Sequence, residues 1–296
     1  MRLLPSTWVK VALIIVLCLA VVGGLAGGCA ALGNAWKAAW APLQGRASGA
    51  APADAALAPG GGAFAAADVD SLDVSWAAGH VTIEVVGDGE DVELVETYVG
   101  AGRQPATVAY LDGRTLVVDY GMTDSLWGCA SAGKKDLAIR VPASLAERLD
   151  LVALAAASGE YEIGGIRCDR LLLELASGRV AAHDVAAREL DAEVASGTME
   201  LGVAVSERAG FDIASGSVEA RMGEGAPARV NASLASGSLR LLVPADTGFT
   251  AAVDKLSGSF ETSFPCTTEG DTHIYGDGAM RVDANLTSGK IVIAEA

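Results

Sequence analysis

Residues able to do chemistry are few and dispersed in this 296-residue chain. The three histidines, His80, His183 and His273, lie far apart, and no Cys or His pair has the spacing of a zinc site. No phosphate loop or familiar nucleophile motif occurs. Carboxylates are abundant, and two sets recur at near-constant intervals: Glu174/Glu193/Asp212/Asp254 and Glu162/Glu200/Glu219/Glu261. Stacked carboxylates are a donor set for Ca²⁺. The glycine-rich nonapeptide of calcium rolls is missing, however, and Arg179, Arg240 and Lys290 interrupt the neighbouring positions. A solvated acidic face is the simpler reading. A glycan-cleaving site would need paired carboxylates that break the repeat in one cleft. These acids follow the repeat, and aromatics make up only 5% of the chain, leaving little for a sugar-stacking platform. The chain is therefore read as non-enzymatic, with no catalytic, cofactor-binding or metal residue assigned.

Cys129, Cys168 and Cys266 lie beyond the N-terminal segment. Cys168 and Cys266 fall five repeats apart, about 24 Å at strand spacing, which is beyond disulfide reach. Cys129 is the remaining partner for either, with Cys168 nearer in the stack, and free buried thiols are the alternative.

The elements that position these groups are read from a repeat. Ser-Gly recurs at Ser158-Gly159, Ser177-Gly178, Ser196-Gly197, Ser215-Gly216, Ser236-Gly237, Ser257-Gly258 and Ser288-Gly289, with spacings of 19, 19, 19, 21, 21 and 31. Two places before the second to seventh serines stand Leu175, Val194, Ile213, Leu234 and Leu286, with Lys255 the exception. Four before are Leu173, Ala192, Phe211, Ala232, Val253 and Ala284, and the places between are polar. Period-two alternation with one polar face marks a half-buried strand. A second strand follows, with Tyr161, Val180, Met199, Val218, Leu239, Phe260 and Ile291 three places after the serine. Inward parity is even before the serine and odd after it, so one residue is absorbed at the Ser-Gly, where glycine accepts the dihedrals of a corner. The serine continues the inward parity, which predicts stacked hydroxyls bonded to one another or to the corner backbone.

A unit of about 20 residues and two strands cannot bury its apolar face alone, whereas stacked units form a continuous core. The fold class is all-β, a single elongated β-solenoid or β-helix-like domain over residues 68–296. Residues 68–150 form its opening layers, residues 265–278 a loop thrown out from the rod, and Ile291 to Ile293 the final strand. The loops Gly121 to Lys135 and Pro265 to Gly278 are the expected contact surfaces, since irregular loops on rigid scaffolds carry function.

Residues 11–33 carry no charge and are long enough for a transmembrane helix, with Trp8 before and Trp36 and Trp40 after at interfacial positions. The expected order is a short cytoplasmic tail (1–10), the span (11–33), an Ala/Gly/Pro-rich linker (34–67) and the extracytoplasmic repeat domain. Signal-peptide cleavage and lipidation at Cys29 are the competing readings of the segment. Four of the 21 Lys and Arg and one of the 37 Asp and Glu fall in residues 1–67, leaving a net charge of −19 on the rest. Such a surface repels phosphate, which excludes nucleic acid as a partner.

The motifs Gly79-His80-Val81-Thr82-Ile83-Glu84-Val85, Leu137-Ala138-Ile139-Arg140-Val141-Pro142, the serial Ser-Gly strands and Leu241 to Phe249 together resemble the bacterial putative-adhesin family of β-strand repeats, over about residues 68–296. That resemblance implies the architecture and assigns no chemistry. The expected function is a membrane-anchored, single-span, N-inside protein whose ectodomain binds an envelope protein or polymer, or serves as a structural module. The alternatives are a regulatory ectodomain that senses envelope state through a membrane partner, and a glycan-active β-helix enzyme.

Overall fold

A computed structural model describes residues 55–57, 60–99, 106–121, 134–223 and 226–296. The tail, the span, Cys29 and most of the linker lie outside these residues. Among the described residues no helix is long and apolar enough to cross a membrane.

Strands β1 (Gly61–Ala65), β2 (Ser71–Trp76), β3 (His80–Val86), β4 (Asp91–Val99), β5 (Val108–Asp112), β6 (Thr115–Asp119) and β7 (Lys134–Pro142) precede a single helical turn, α1 (Ala143–Ala146). Then come β8 (Leu149–Ala156), β9 (Glu160–Gly164), β10 (Arg167–Ile213), β11 (Ser217–Met222), β12 (Arg229–Leu234), β13 (Ser238–Val243), β14 (Phe249–Thr262), β15 (Thr267–Glu269), β16 (Thr272–Tyr275) and β17 (Met280–Glu295). The expected two-strand coil is present. Incoming strands form one face, with β2, β8, the 168–175 stretch of β10 and β12 among them, and outgoing strands such as β3, β9, β11 and β13 form the other. The coils stack in parallel register, and β10 winds through both faces without a break.

The core lies between the two faces. Leu171, Leu173, Leu175, Val180, Ala182, Leu190, Ala192, Val194, Met199 and Leu201 are all buried, as the alternation requires. The inward columns consist mostly of Leu, Val, Ile and Ala because only two thin sheets face each other, and no position offers the depth of a globular core.

The order of coils departs from the order of the chain at both ends. β2 and β3 sit between the β6/β7 layer and the β8/β9 layer. Likewise β17 inserts between β12/β13 and β14, so the outermost coil is β14 and the C-terminal strand is interior. This corrects the expectation that Ile291 to Ile293 close the stack. The residues expected to form a loop, 265–278, instead contain the β15–β16 hairpin, and β16 pairs antiparallel with residues 249–252. Phe249, Phe264 and Tyr275 plug that end, with ring centroids 4.6 to 5.8 Å apart. At the opposite end β4 runs antiparallel to β7 and β5 to β6. Antiparallel strands thus flank the parallel stack at both ends and cover part of the edges that would otherwise template pairing, at the β14 end residues 249–253.

The linker also ends earlier than expected. Ala55 is buried, its carbonyl accepts from the amide of Ala109, and β1 pairs with β4. The Ala/Gly composition concealed a strand because small residues are needed there: a Cβ on Gly61 would lie 1.7 Å from the Leu94 carbonyl oxygen.

The seven corner serines are exposed, not inward. Ser158 Oγ donates to the Ala77 carbonyl and Ser177 Oγ to that of Ala157, both at 3.1 Å, so the hydroxyl ties its corner to the coil beneath. The glycines explain the corner better. A Cβ on Gly178 would come within 2.2 Å of the Gly159 carbonyl oxygen, one on Gly197 within 2.7 Å of that of Gly178, and one on Gly216 within 2.6 Å of that of Gly197. Gly237, Gly289 and Gly258 continue the column. Of the seven Ser-Gly glycines, only Gly159, Gly178 and Gly289 take positive φ, so close backbone approach, more than unusual dihedrals, selects glycine here. Gly216→Ala, whose Cβ would also meet Val194 at 2.3 Å, is expected to cost about 1–3 kcal/mol as an overpacked site. Urea unfolding of G216A against G113A, where a Cβ meets nothing within 4 Å but φ is +62°, separates packing from dihedral strain.

Candidate functional site

Four strands carry their inward alternation one residue too far for an apolar core. Leu72 and Val74 of β2 lead to Trp76, and Leu116 and Val118 of β6 lead to Tyr120. On the other face Val92 and Leu94 of β4 lead to Glu96, while Val141, Ile139 and Leu137 of β7 lead back to Lys135. All four side chains are buried, and they meet near the corner side of the outer coils.

Lys135 is fully enclosed, with its side chain 0% exposed, and its Nζ lies 3.8 Å from Oε1 of Glu96, itself 2% exposed. Nζ donates to the Tyr120 carbonyl at 2.6 Å and stands 4.4 Å from the Tyr120 ring centroid and 5.0 Å from that of Trp76. The two rings meet edge to face at 5.0 Å, and Trp76 Nε1 donates to the Lys135 carbonyl. Tyr161 closes the neighbouring layer, its hydroxyl donating toward the carbonyls of Trp76 and Ser158, and burial pushes its phenol upward. An ammonium facing two π-systems, a carbonyl and a carboxylate has most of its lost hydration replaced. Burial nonetheless pushes Lys135 down to about 8, opposed by the charges of Glu96 and Asp119. With the amine buried among these groups, the constellation locks the two faces of the outer layers together.

Lys135 was expected at the end of an irregular contact loop; it stands instead in a strand and in the core. The signal was present in the sequence, since Lys135, Leu137, Ile139 and Val141 share one parity.

Three members of the acidic columns, and three further acids beside them, form ion pairs across coils. Glu200 pairs with Arg179, Glu219 with Arg240 at 3.7 Å and Glu261 with Lys290 at 2.7 Å on the outgoing face. On the other face Arg208 bridges Asp191 at 2.8 Å and Glu189 at 3.3 Å, and Arg188 holds Glu207 at 2.7 Å. Among the described residues no group of three or more His, Cys, Asp or Glu is arranged to hold a metal ion. His80 lies 3.8 Å from Glu160, and His273 packs on Phe260 and touches Thr268, so the histidines do not converge. Cys129 lies outside the described residues. Cys168 is buried in an apolar setting that pushes its thiol up to about 12, which keeps it unreactive, and Cys266 is only half-buried.

One shallow hollow of about 540 Å³ runs along the corner edge, lined by the rows Ser196/Ser215/Ser236 and Thr198/Ser217/Ser238, with Lys290 at one end. The intervening glycines bring backbone close to its floor.

A family profile described as Toastrack DUF4097 matches residues 69–295. The chain belongs to that family. The Toastrack match coincides with the span of the strand-motif resemblance, residues 68–296. Among solved structures, this Toastrack chain is similar to a putative cell adhesion protein from Clostridium sporogenes, at 13% identity over 81% of this chain and 100% of that one, with a TM-score of 0.37. It is also similar to a putative adhesin from Bacteroides fragilis, at 9% identity over 83% and 100% of the two chains, with a TM-score of 0.42. No curated protein matches.

Removing one member of a buried pair strands the other charge, so E96Q is expected to destabilise the domain by about 3–5 kcal/mol, while K135M/E96L loses much less. Denaturant unfolding of the two variants beside the wild type checks this. The folded Lys135 value of about 8 lies below the ordinary 10.5, so the unfolded chain binds more protons between those limits. Stability of the wild type relative to K135M/E96L should therefore rise as pH increases from about 8 to about 10.5.

Proposed function

We propose that this Toastrack protein is a non-catalytic binding module of the cell envelope. A single N-terminal span, N-inside, would hold the repeat domain on the extracytoplasmic side, where it recognises an envelope protein or polymer along its repeats. The supporting observation is the corner edge. Hydroxyls of Ser196, Ser215 and Ser236, and of Thr198, Ser217 and Ser238, recur layer by layer on a backbone whose position is fixed by glycine contacts. Strand spacing repeats these donors and acceptors at about 4.8 Å, a pattern suited to an extended, periodic ligand and to contact without turnover. Part of the acidic surface is likewise tied into the stack, with Glu200, Glu207, Asp191, Glu219 and Glu261 in cross-coil ion pairs. The net charge of −19 on residues 68–296 disfavours nucleic acid.

T198K/S217K, which places two long charged side chains in the hollow without touching the core, tests this reading. In a sedimentation assay of the full chain with purified cell-wall polymer and with whole cells, the wild type is expected to be retained and the variant to lose about tenfold in affinity, about 1.4 kcal/mol. Equal retention of both would rule out the corner edge as the binding surface. Recovery of a stoichiometric membrane partner with no binding to polymer or cells would favour the regulatory reading.

A further inference from the structure

The pairing of β4 with β7 places a nucleophile beside an acyl group. Glu96 stands opposite Leu137 and Lys135 opposite Tyr98, so Lys135 and Glu96 are diagonal neighbours across the antiparallel pair, within reach of long side chains. With the two side chains 0% and 2% exposed, Nζ lies 3.8 Å from Oε1, about 1 Å longer than a charge-assisted hydrogen bond. The amine is held from its other sides by the Tyr120 carbonyl at 2.6 Å and by the rings of Tyr120 and Trp76.

Free amines and carboxylates do not join in water, because dilution and ionisation both favour the separate groups. Folding weakens each restraint at this site. It keeps the two groups together, and effective molarities of well-oriented neighbours reach about 10⁵–10⁸ M. Burial also penalises charge and holds Lys135 at about 8, so passing a proton from the ammonium to the carboxylate, which leaves a neutral amine beside a neutral acid, costs less here than in solution. The condensation then balances within the pair. Nζ attacks Cδ of Glu96, the Nζ–Cδ bond forms, one Cδ–O bond breaks, and a second proton from the nitrogen departs with that oxygen as water. No other reactant is consumed. The amide carries no charge and keeps one N–H, the donor that the Tyr120 carbonyl already accepts. Thr107, opposite Tyr120 one residue beyond the β5–β6 pairing, adds to the same layer a buried hydroxyl without a partner, a donor of the kind that a buried amide oxygen requires.

We propose that Lys135 and Glu96 form an intramolecular amide cross-link after folding, which staples β4 to β7. β1 rests on β4, so the bond fixes the first strands of the domain to the stack. The charge-pair stabilities given above belong to the chain before this step. Peptide mapping of the full chain by mass spectrometry, before and after incubation of the folded protein at neutral pH, tests the proposal. The expected product is a branched peptide that joins the segments of Glu96 and Lys135 and is one water lighter than their sum. It should be absent from K135M/E96L, whose strand spectrum by circular dichroism should match the wild type, and from wild-type chain kept in denaturant. Glu96 and Lys135 peptides that stay separate and of full mass after incubation would overturn the proposal. So would a loss of water that maps to Asp-Gly steps such as Asp112-Gly113 or Asp277-Gly278 without a branch, or a branched peptide that forms equally in denaturant.

Discussion

Everything in this molecule depends on how closely one coil can approach the next at the corner. Strand hydrogen bonding sets the layer spacing on both faces, and the chain must reverse within that spacing without losing register. Carbonyl oxygens of one corner therefore sit where the Cβ of the next would be, as between Gly159 and Gly178 or Gly197 and Gly216. Glycine resolves the conflict by having no Cβ. The serine beside it faces out and, at Ser158 and Ser177, adds a hydroxyl bond to the coil beneath. The inward columns, cross-coil ion pairs and edge hydroxyl rows are all aligned because the corners are.

A stack built this way has two problems at its ends, exposed edges and an open core. Both ends answer them alike, by reordering the outer coils relative to the chain and adding antiparallel strands, although at the β14 end these cover only the first part of the edge. At the β7 end the plug is polar in part, with Lys135 and Glu96 neutralising each other beneath Trp76 and Tyr120. At the β14 end it is aromatic, with Phe249, Phe264 and Tyr275 under the hairpin. The charged plug carries a desolvation cost, which holds Lys135 below its ordinary value.

The functional reading follows from the same regularity. Carboxylates arranged by a repeat are spaced by the coil rise, and those such as Glu200, Glu219 and Glu261 that meet a basic partner on an adjacent coil reinforce the stack. What the surface offers instead is repetition, most clearly in the serine and threonine rows along the corner. Under the proposed function, that repetition is what an extended ligand would meet, as on other scaffolds of stacked repeats.

The repeat itself was legible in the sequence because side-chain parity and the Ser-Gly interval are local properties. Residues as far apart as Leu171 and Ile293 could be assigned to the core from alternation alone, and both are buried. Even the two departures were written there, Lys255 in a leucine column and Lys135 in line with Leu137 and Ile139, although one marks an open end and the other a sealed cage. Which it would be depended on what lay on the far side. Parity says which way a side chain points, but only the stacking order says whether another coil covers it. That order is non-local: the 31-residue interval before Ser288 fits equally a loop followed by a final coil, or a hairpin followed by an inserted one. Tertiary structure decided between them, because hydrogen bonds from β12 and β13 to β17, and not to β14, place the last strand inside the stack.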